Sequence, residues 1–211
     1  MIKKKFCIIG VDDDYLDFIK RNSSFFLGYF SIENKKYKSI SAKKWLGNHN
    51  KTNWINVKKK YNPYVIFAID DGRNRKKLYN SIYKNNCNNI IFKKSTLSES
   101  SKNYLKKNKC ISIQDFAKIM PNVKIGTGSK IHINAQIHHD CVIDEFVTIA
   151  PRALLLGNVK IGKYSYIGAN ATIKQNVKIG EGVIVGAGSV VTKNIKDAEI
   201  VAGVPAKSLK I

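Results

Sequence analysis

The hydrophobic pattern between residues 113 and 191 repeats every six residues without a slip. All fourteen positions of the leading row, from Ile113 to Val191, are Ile, Leu or Val. A second row, four residues after each of the first, carries mostly small side chains such as Ala117 and Cys141. A period of six fits neither a helix nor an alternating strand. It predicts a hexapeptide solenoid, in which three short strands complete one triangular coil of 18 residues.

Glycine directly follows the bulky residue at five corners of this predicted solenoid. We interpret these glycines as structural, because a tight corner needs permissive backbone. The five are Gly126, Gly162, Gly168, Gly180 and Gly186.

The residues before the repeat alternate between short apolar runs and helical spacing. Strands are predicted at 5–10, 26–32, 64–69 and 89–92, with a helix over 73–83. Alternating strands and helices predict an α/β unit with a parallel sheet, whose ligands bind outside the carboxyl ends of the strands. The predicted division is an α/β substrate-binding domain at 1–92, a polar linker at 93–112 and the repeat with its tail at 113–211.

Charge and hydropathy narrow the classes of partner. The net charge is +22, and residues 1–112 carry 25 Lys and Arg against eight Asp and Glu, whereas the repeat carries eight against five. The lysines are scattered among asparagines rather than gathered in a stripe with aromatic residues, so we expect no nucleic-acid partner. No apolar run approaches the roughly 20 residues that span a bilayer. A cytoplasmic protein without membrane contact is the expectation.

Three of the four histidines, His132, His138 and His139, lie within eight residues. Ile137 and Cys141 belong to the inward rows, so His138, His139 and Asp140 form a corner. An imidazole can take a proton from a nucleophile near neutral pH, and Asp140 could hold its tautomer. A polar corner without function is the alternative. The spacing of the histidines is not that of a known metal site, and we expect no metal.

Four segments of the repeat region resemble the left-handed β-helix acetyltransferases, and more narrowly the sugar O- and N-acetyltransferases of the sialic-acid and bacillosamine type. The segments are Ile137–Ile143, Gly157–Gly162, Val185–Val191 and Gly203–Lys207. The resemblance is strong over 113–207 and weaker over 1–92. It implies a Rossmann-like α/β domain followed by a left-handed parallel β-helix. It also implies a homotrimer with active sites between subunits.

The resemblance further implies roles for individual residues. His139 matches the general base, Asp140 the acidic residue that follows it, and Gly157 the glycine whose N–H meets the thioester oxygen of acetyl-CoA. Ala169 and Ala187 are expected on the same corner further along, beside the pantetheine arm, and Lys193 and Lys207 at the coenzyme phosphates. The expected substrate-binding residues are Gly10, Asp12, Glu33, Asn34, Asp70, Arg73, His132 and Thr148.

Two departures from the family concern the acceptor. The turn after the first strand, Gly10 to Tyr15, carries three aspartates in place of further glycines. His132 and Thr148 stand where the family often has an asparagine and a second histidine. The sequence therefore predicts the chemistry more directly than the acceptor.

The expected function is acetyl-CoA-dependent N-acetylation of a nucleotide-linked amino sugar of the 4-amino-4,6-dideoxyhexose type. The acetyl group would pass directly to the amine, because Cys141 points inward and is a poor nucleophile. O-acetylation of sialic acid or another surface sugar is the rival within the same chemistry. A non-catalytic solenoid scaffold and a sugar-nucleotide binding module are the rivals of another class.

Overall fold

The computed structural model describes residues 5–10, 15–31, 44–48, 51–80 and 87–209. The chain divides into two compact units: Met1–Ile69 with Lys77–Asn88, and Asp70–Lys76 with Asn89–Ile211. Among the described residues, no helix is long and apolar enough to cross a membrane.

The first unit is built on a four-stranded parallel sheet with strand order β3-β2-β1-β4. The parallel sheet predicted from the alternation of strands and helices is therefore confirmed. Gly10 ends β1 with a positive φ of 98°, and a Cβ there would lie 2.4 Å from the carbonyl oxygen of Ala68. Only glycine suits this close approach. The elements are β1 (Phe6–Ile9), α1 (Leu16–Arg21), β2 (Phe26–Ser31), β3 (Trp45–Asn48), α2 (Lys51–Tyr61) and β4 (Tyr64–Phe67), followed by α3 (Gly72–Leu78), which crosses the division between the units.

Strand β3 and helix α2 were not predicted. Helix α2 has only a weak apolar face, because asparagine and lysine fill most of its positions. Its single large anchor is Trp54, which is buried and meets the ring of Phe30 edge-on at 6.4 Å. One aromatic anchor in a polar stretch gives no readable period.

The second unit is a left-handed parallel β-helix, as the six-residue period predicts. Its short strands stack into three faces. Face one contains β5 (Ile90–Ile91), β7 (Ser112–Ile113), β10 (Lys130–Ile131), β13 (Thr148–Ile149), β16 (Tyr166–Ile167), β19 (Ile184–Val185), β21 (Ile200–Gly203) and β22 (Ala206–Ser208). Face two contains β6 (Thr96–Leu97), β8 (Lys118–Ile119), β11 (Gln136–Ile137), β14 (Leu154–Leu155), β17 (Thr172–Ile173) and β20 (Val190–Val191). Face three contains β9 (Lys124–Ile125), β12 (Val142–Ile143), β15 (Lys160–Ile161) and β18 (Lys178–Ile179).

The register of the solenoid advances by one coil of 18 residues. Ile131 pairs with Ile149 and Ile149 with Ile167, and the other faces follow the same rule. Every residue of the two predicted inward rows is buried, so both rows are confirmed. Branched side chains stacked in parallel registers form one continuous core along the axis.

The corners explain their glycines differently from our interpretation. From Cys110 to Gly188, every sixth residue has a positive φ, and these positions lie two residues beyond the glycines that we assigned to permissive backbone. Asparagine or aspartate fills several of them, because their side chains tolerate the left-handed region best among non-glycine residues. The five predicted glycines instead lack room. A Cβ at Gly162, for example, would lie 2.6 Å from the carbonyl carbon of Gly180 in the next coil.

Residues before and after the repeat extend the solenoid. The predicted strand at 89–92 belongs to face one rather than to the α/β sheet, since β5 pairs with β7. Within the segment assigned to a linker, β6 pairs with β8, and α4 (Glu99–Leu105) begins at Ser98, whose side chain accepts the N–H of Ser101. Strands β21 and β22 form an antiparallel pair at the other end.

Candidate active site

The histidine corner lies between β11 on face two and β12 on face three. The side chains of His139 and Asp140 are 59% and 51% exposed, and His139 Nδ1 lies 2.7 Å from Asp140 Oδ2. An ionised carboxylate only accepts hydrogen bonds, so Nδ1 carries the proton that it donates to Asp140. In the neutral ring, Nε2 is then the unprotonated nitrogen, which can act as a base.

The backbone at Asp140 helps to aim its carboxylate. Asp140 has a φ of 60° and occupies one of the periodic left-handed positions. One coil earlier, Asn122 donates from Nδ2 to Asp140 Oδ1 at 3.1 Å, and two coils further along the same column Asn158 donates to Asn176. Hydrogen bonds from His139 and then Asn122 hold the pKa of the Asp140 carboxyl below its ordinary value. The carboxylate therefore stays ionised while it orients the imidazole.

Gly157 lies one coil after His139 in the same column. A Cβ at Gly157 would come 2.8 Å from both Cε1 and Nε2 of His139, so the ring occupies the space that a side chain would need. Among the described residues, no acceptor takes a hydrogen bond from the N–H of Gly157. The amide N–H of His139 is also without such an acceptor, so this is a shared property of the corner. What distinguishes Gly157 is the imidazole beside it.

A second polar cluster lies on face one. The carboxylate oxygen Oδ1 of Asp70 accepts from Lys130 Nζ at 2.5 Å and lies 3.2 Å from His132 Nε2. The side chains of Lys130 and His132 are 2% and 4% exposed, whereas that of Asp70 is 48% exposed. The hydroxyl of Thr148, directly beside Lys130 in the register, donates to the carbonyl oxygen of Asp70 at 2.7 Å. A half-exposed carboxylate thus rests on two buried nitrogen donors.

The cluster changes the acidity of two of its members. Partial burial opposes ionisation of Asp70, but the hydrogen bond from His132 and the charge of Lys130 outweigh it, and the pKa of the Asp70 carboxyl falls well below its usual range. Burial, followed by the negative charge of Asp70, raises the pKa of the Tyr166 phenol. Tyr166 is the next residue after Thr148 along the same row of face one.

Arg75 fixes the segment that carries Asp70. Its guanidinium is buried and donates to the carbonyl oxygens of Asp70, Gly128, Phe146 and Val147 at 2.6 to 3.1 Å, and to Thr148 Oγ1 at 2.9 Å. Arginine alone among side chains offers five donors in a planar fork. The backbone of Asp70 is therefore held independently of its carboxylate.

Comparison with known proteins places the repeat. Residues 158–193 match the family described as bacterial transferase hexapeptide (six repeats). This is the period that the structure displays as stacked coils. The protein carries the bacterial transferase hexapeptide repeat.

The relatives of this hexapeptide-repeat protein agree in fold. A GDP-perosamine N-acetyltransferase of Escherichia coli O157:H7 is 40% identical over 63 residues, which is 30% of this chain and 28% of that relative. The crystal structure of PerB from Caulobacter crescentus in complex with CoA and GDP-perosamine superposes with a TM-score of 0.85 at 22% identity, covering 99% of each chain. The acetyltransferase domain of PglB from Neisseria gonorrhoeae FA1090, in complex with acetyl coenzyme A, gives 0.81 at 23% identity and covers 98% of this chain and 99% of that one. At such identities the likeness shows the fold.

The hexapeptide-repeat protein places two residues expected beside the pantetheine arm on another corner. Ala169 and Ala187 follow strands of face one, so they lie between faces one and two rather than on the corner of His139, and their expected shared corner was wrong. That corner borders a groove of about 670 Å³ whose lining includes Arg152 and Asn170. Lys193 does fall in the column of His139, three coils further on, and is exposed. Lys207 is exposed on β22.

The remaining expected residues are spread over the chain. Gly10 ends β1 in the first unit, and Arg73 lies in α3 with its guanidinium 5.8 Å from the ring centre of Tyr164. His132 follows face one, so it belongs to a different corner from His138 and His139 despite its closeness in sequence. Within the described residues, no group of three or more His, Cys, Asp or Glu could hold a metal ion. Asp12, Glu33 and Asn34 lie outside the described residues.

Lys130 and Asn122 were missed as parts of these clusters. Lys130 reads like the other Lys-Ile pairs of the repeat, such as Lys118 and Lys124, which are exposed. Only the 18-residue spacing, which puts Lys130 in one row with Thr148 and Tyr166, could have indicated a polar patch on face one. Its burial under Asp70 depends on tertiary packing.

Proposed function

We propose that the protein is an acetyl-CoA-dependent N-acetyltransferase that acts on a nucleotide-linked amino sugar of the 4-amino-4,6-dideoxyhexose type. The observation that carries the proposal is the His139–Asp140 pair at 2.7 Å, with its imidazole lying over Gly157 on an exposed corner. A hexapeptide scaffold alone needs neither the pair nor the bare glycine.

The proposed mechanism is direct transfer. The sugar amine attacks the thioester carbon, a bond forms between nitrogen and carbon, and His139 Nε2 takes the proton that the amine loses. The bond between carbon and sulfur then breaks, and the thiolate of coenzyme A leaves and is protonated. Asp140 stabilises the imidazolium that forms, and the N–H of Gly157 is suited to donate to the oxygen where negative charge develops.

No covalent enzyme intermediate is needed in this scheme. Cys141 is buried in the inward row, and burial raises the pKa of its thiol to about 11. A protonated, enclosed thiol is a poor nucleophile.

The geometry of the coil supports a proposed homotrimer with shared active sites. In a triangular cross-section, the corner between faces two and three lies opposite face one. His139 occupies that corner, whereas Asp70, His132 and Thr148 gather at face one. If one acceptor touches both groups, a second copy of the chain must supply one of them. On the donor, Lys193 and Lys207 are the proposed partners of the coenzyme phosphates.

The test is acetyl transfer to a panel of amino sugars, free and linked to UDP, GDP or dTDP, followed by release of the coenzyme A thiol. We expect rapid release with one nucleotide-linked amino sugar. His139→Ala should abolish it, and His138→Ala, the adjacent and less exposed histidine, is the matched control that should retain it. Because both side chains lie at a corner outside the core, neither change should unfold the solenoid.

Other outcomes would redirect the proposal. Transfer to hydroxyl acceptors alone would favour O-acetylation of a sialic acid or similar sugar. Coenzyme binding without transfer to any acceptor, or turnover unchanged in His139→Ala, would exclude the proposed role of the corner. Binding of a sugar nucleotide with no affinity for coenzyme A would indicate a binding module.

A further inference from the structure

The carboxylate of Asp70 is held as a fixed acceptor with one oxygen spare. Oδ1 receives both Lys130 and His132, whereas among the described residues no donor reaches Oδ2. The side chain remains 48% exposed, although the two nitrogen donors below it are almost fully buried. One oxygen is therefore immobilised by the protein and the other faces outward.

A purely structural role leaves part of this arrangement unexplained. The segment from Asp70 to Arg75 is already anchored through its backbone, because the carbonyl oxygen of Asp70 accepts from Arg75 at 2.6 Å and from Thr148 at 2.7 Å. The carboxylate adds little to that anchor. What it adds is a charged acceptor whose position is fixed from two sides, which lowers the entropy lost when a ligand binds to it.

The chemistry of the cluster selects the kind of group that can meet Oδ2. An ionised carboxylate accepts hydrogen bonds and donates none. A phosphate or carboxyl group of a ligand would meet it as a like charge. A hydroxyl or ammonium group would donate to it, and such groups are abundant on an amino sugar.

We infer that Asp70 is a specificity-determining residue that accepts a hydrogen bond from a hydroxyl or ammonium group of the acceptor sugar. This inference rests on the proposed function. Lys130 and His132 act as positioning residues, since they hold Oδ1 and so aim Oδ2. The side-chain hydroxyl of Thr148 is engaged by the backbone of Asp70 and serves the same end.

The experiment compares acceptor kinetics in Asp70→Asn, Asp70→Ala and the control Asp71→Asn. Asp71 is the exposed neighbour, and its Oδ1 accepts the N–H of Asn74 at 2.6 Å. In Asp70→Asn, Lys130 and His132 keep the amide oxygen, so the amide nitrogen turns outward and an acceptor becomes a donor. We expect the KM for the acceptor to rise roughly tenfold or more in both Asp70 variants, the usual effect of losing a hydrogen bond to a charged group. The KM for acetyl-CoA should stay constant, and Asp71→Asn should change neither.

A second arm identifies the group that Asp70 recognises. Acceptor analogues that each lack one hydroxyl, and one with the distal amine methylated, are tested on wild type and Asp70→Ala. The analogue that lacks the recognised donor should lose affinity in wild type but lose nothing further in Asp70→Ala. Additive losses for every analogue would overturn the inference.

Thermal melting separates the structural alternative from the specific one. A lower Tm in the Asp70 variants with an unchanged KM for the acceptor would show that the carboxylate only offsets the burial of Lys130. It would overturn this inference and leave the proposed function intact. Absence of transfer by wild type to any acceptor would overturn both.

Discussion

Gly157→Ala tests whether the position of the His139 ring matters for turnover. The backbone at Gly157 is not left-handed, so alanine meets no conformational barrier there. Its methyl group would lie 2.8 Å from Cε1 and Nε2 of His139, whereas ordinary contact begins at 3.4 Å. The ring must therefore retreat by about 0.6 Å, or leave its rotamer and the hydrogen bond to Asp140.

The expected result is a loss of rate with little loss of stability. The imidazole is 59% exposed and can swing outward, and alanine also restricts the unfolded chain, so the free energy of unfolding should change by less than about 1 kcal/mol. A misplacement of about 1 Å can cost on the order of 100-fold in rate. We expect kcat to fall between roughly 10-fold and 100-fold, measured as thiol release at saturating acetyl-CoA and acceptor.

A double-mutant cycle shows whether the glycine acts through the ring. In a His139→Ala background, the methyl group at residue 157 has no imidazole to displace, so Gly157→Ala should cause no further loss. An equal loss in that background would mean that the glycine acts through its own N–H. Wild-type kcat in Gly157→Ala would refute the claim that this ring must lie over a bare glycine.

Further substitutions probe the corner and the face-one cluster. Asp140→Asn keeps the left-handed backbone and a partner for Asn122 but removes the charge, so kcat should fall while Tm stays constant; an unchanged kcat would exclude the proposed electrostatic role. Arg75→Met strands several carbonyl acceptors and should lower the free energy of unfolding by about 3 kcal/mol or more in urea titrations, and a smaller loss would show that other donors replace the guanidinium. Cys141→Ala should retain turnover, and mass spectrometry of wild type after acetyl-CoA should show no acetylated cysteine; an adduct at Cys141 would contradict direct transfer. Because the pKa of Asp70 is lowered in the folded protein, its ionisation stabilises the fold above the ordinary carboxyl pKa near 4 and the benefit fades as pH falls below it. Asp70→Asn should therefore cost stability at pH 7 and less at pH 3, and a constant difference between those pH values would contradict this reasoning.

The inward rows of the solenoid were predictable because a coil repeats one local pattern many times. Ile113 and Ile137 differ only in their place along the axis, so a period of six predicts burial for both. The corners were harder, since six residues move the chain by one side of the triangle and only 18 return it to the same corner. Ala169 lies 30 residues after His139, which is one coil and two further sides, and it therefore falls on another corner.

The candidate site was predictable where it is local in sequence. His139 and Asp140 are neighbours, and the register alone puts both on a corner. The cluster around Asp70 joins residues 60 to 78 positions apart in the chain, namely Lys130, His132 and Thr148. Which buried lysine of many Lys-Ile pairs meets a carboxylate depends on how the segment 70–76 lies against the coils, and no period of the sequence records that.

The stacking of coils in steps of 18 limits how this protein can change length during evolution. Duplicating six residues between His139 and Gly157 would preserve both inward rows, yet it would move the glycine around to the next corner and separate it from the imidazole. Duplicating a whole coil would preserve the corner but place a new residue under the ring. Insertions beyond Gly157 are free of the first restriction, because the pair is already aligned by then. The spacing of one coil between these two residues should therefore be the least variable length in the chain.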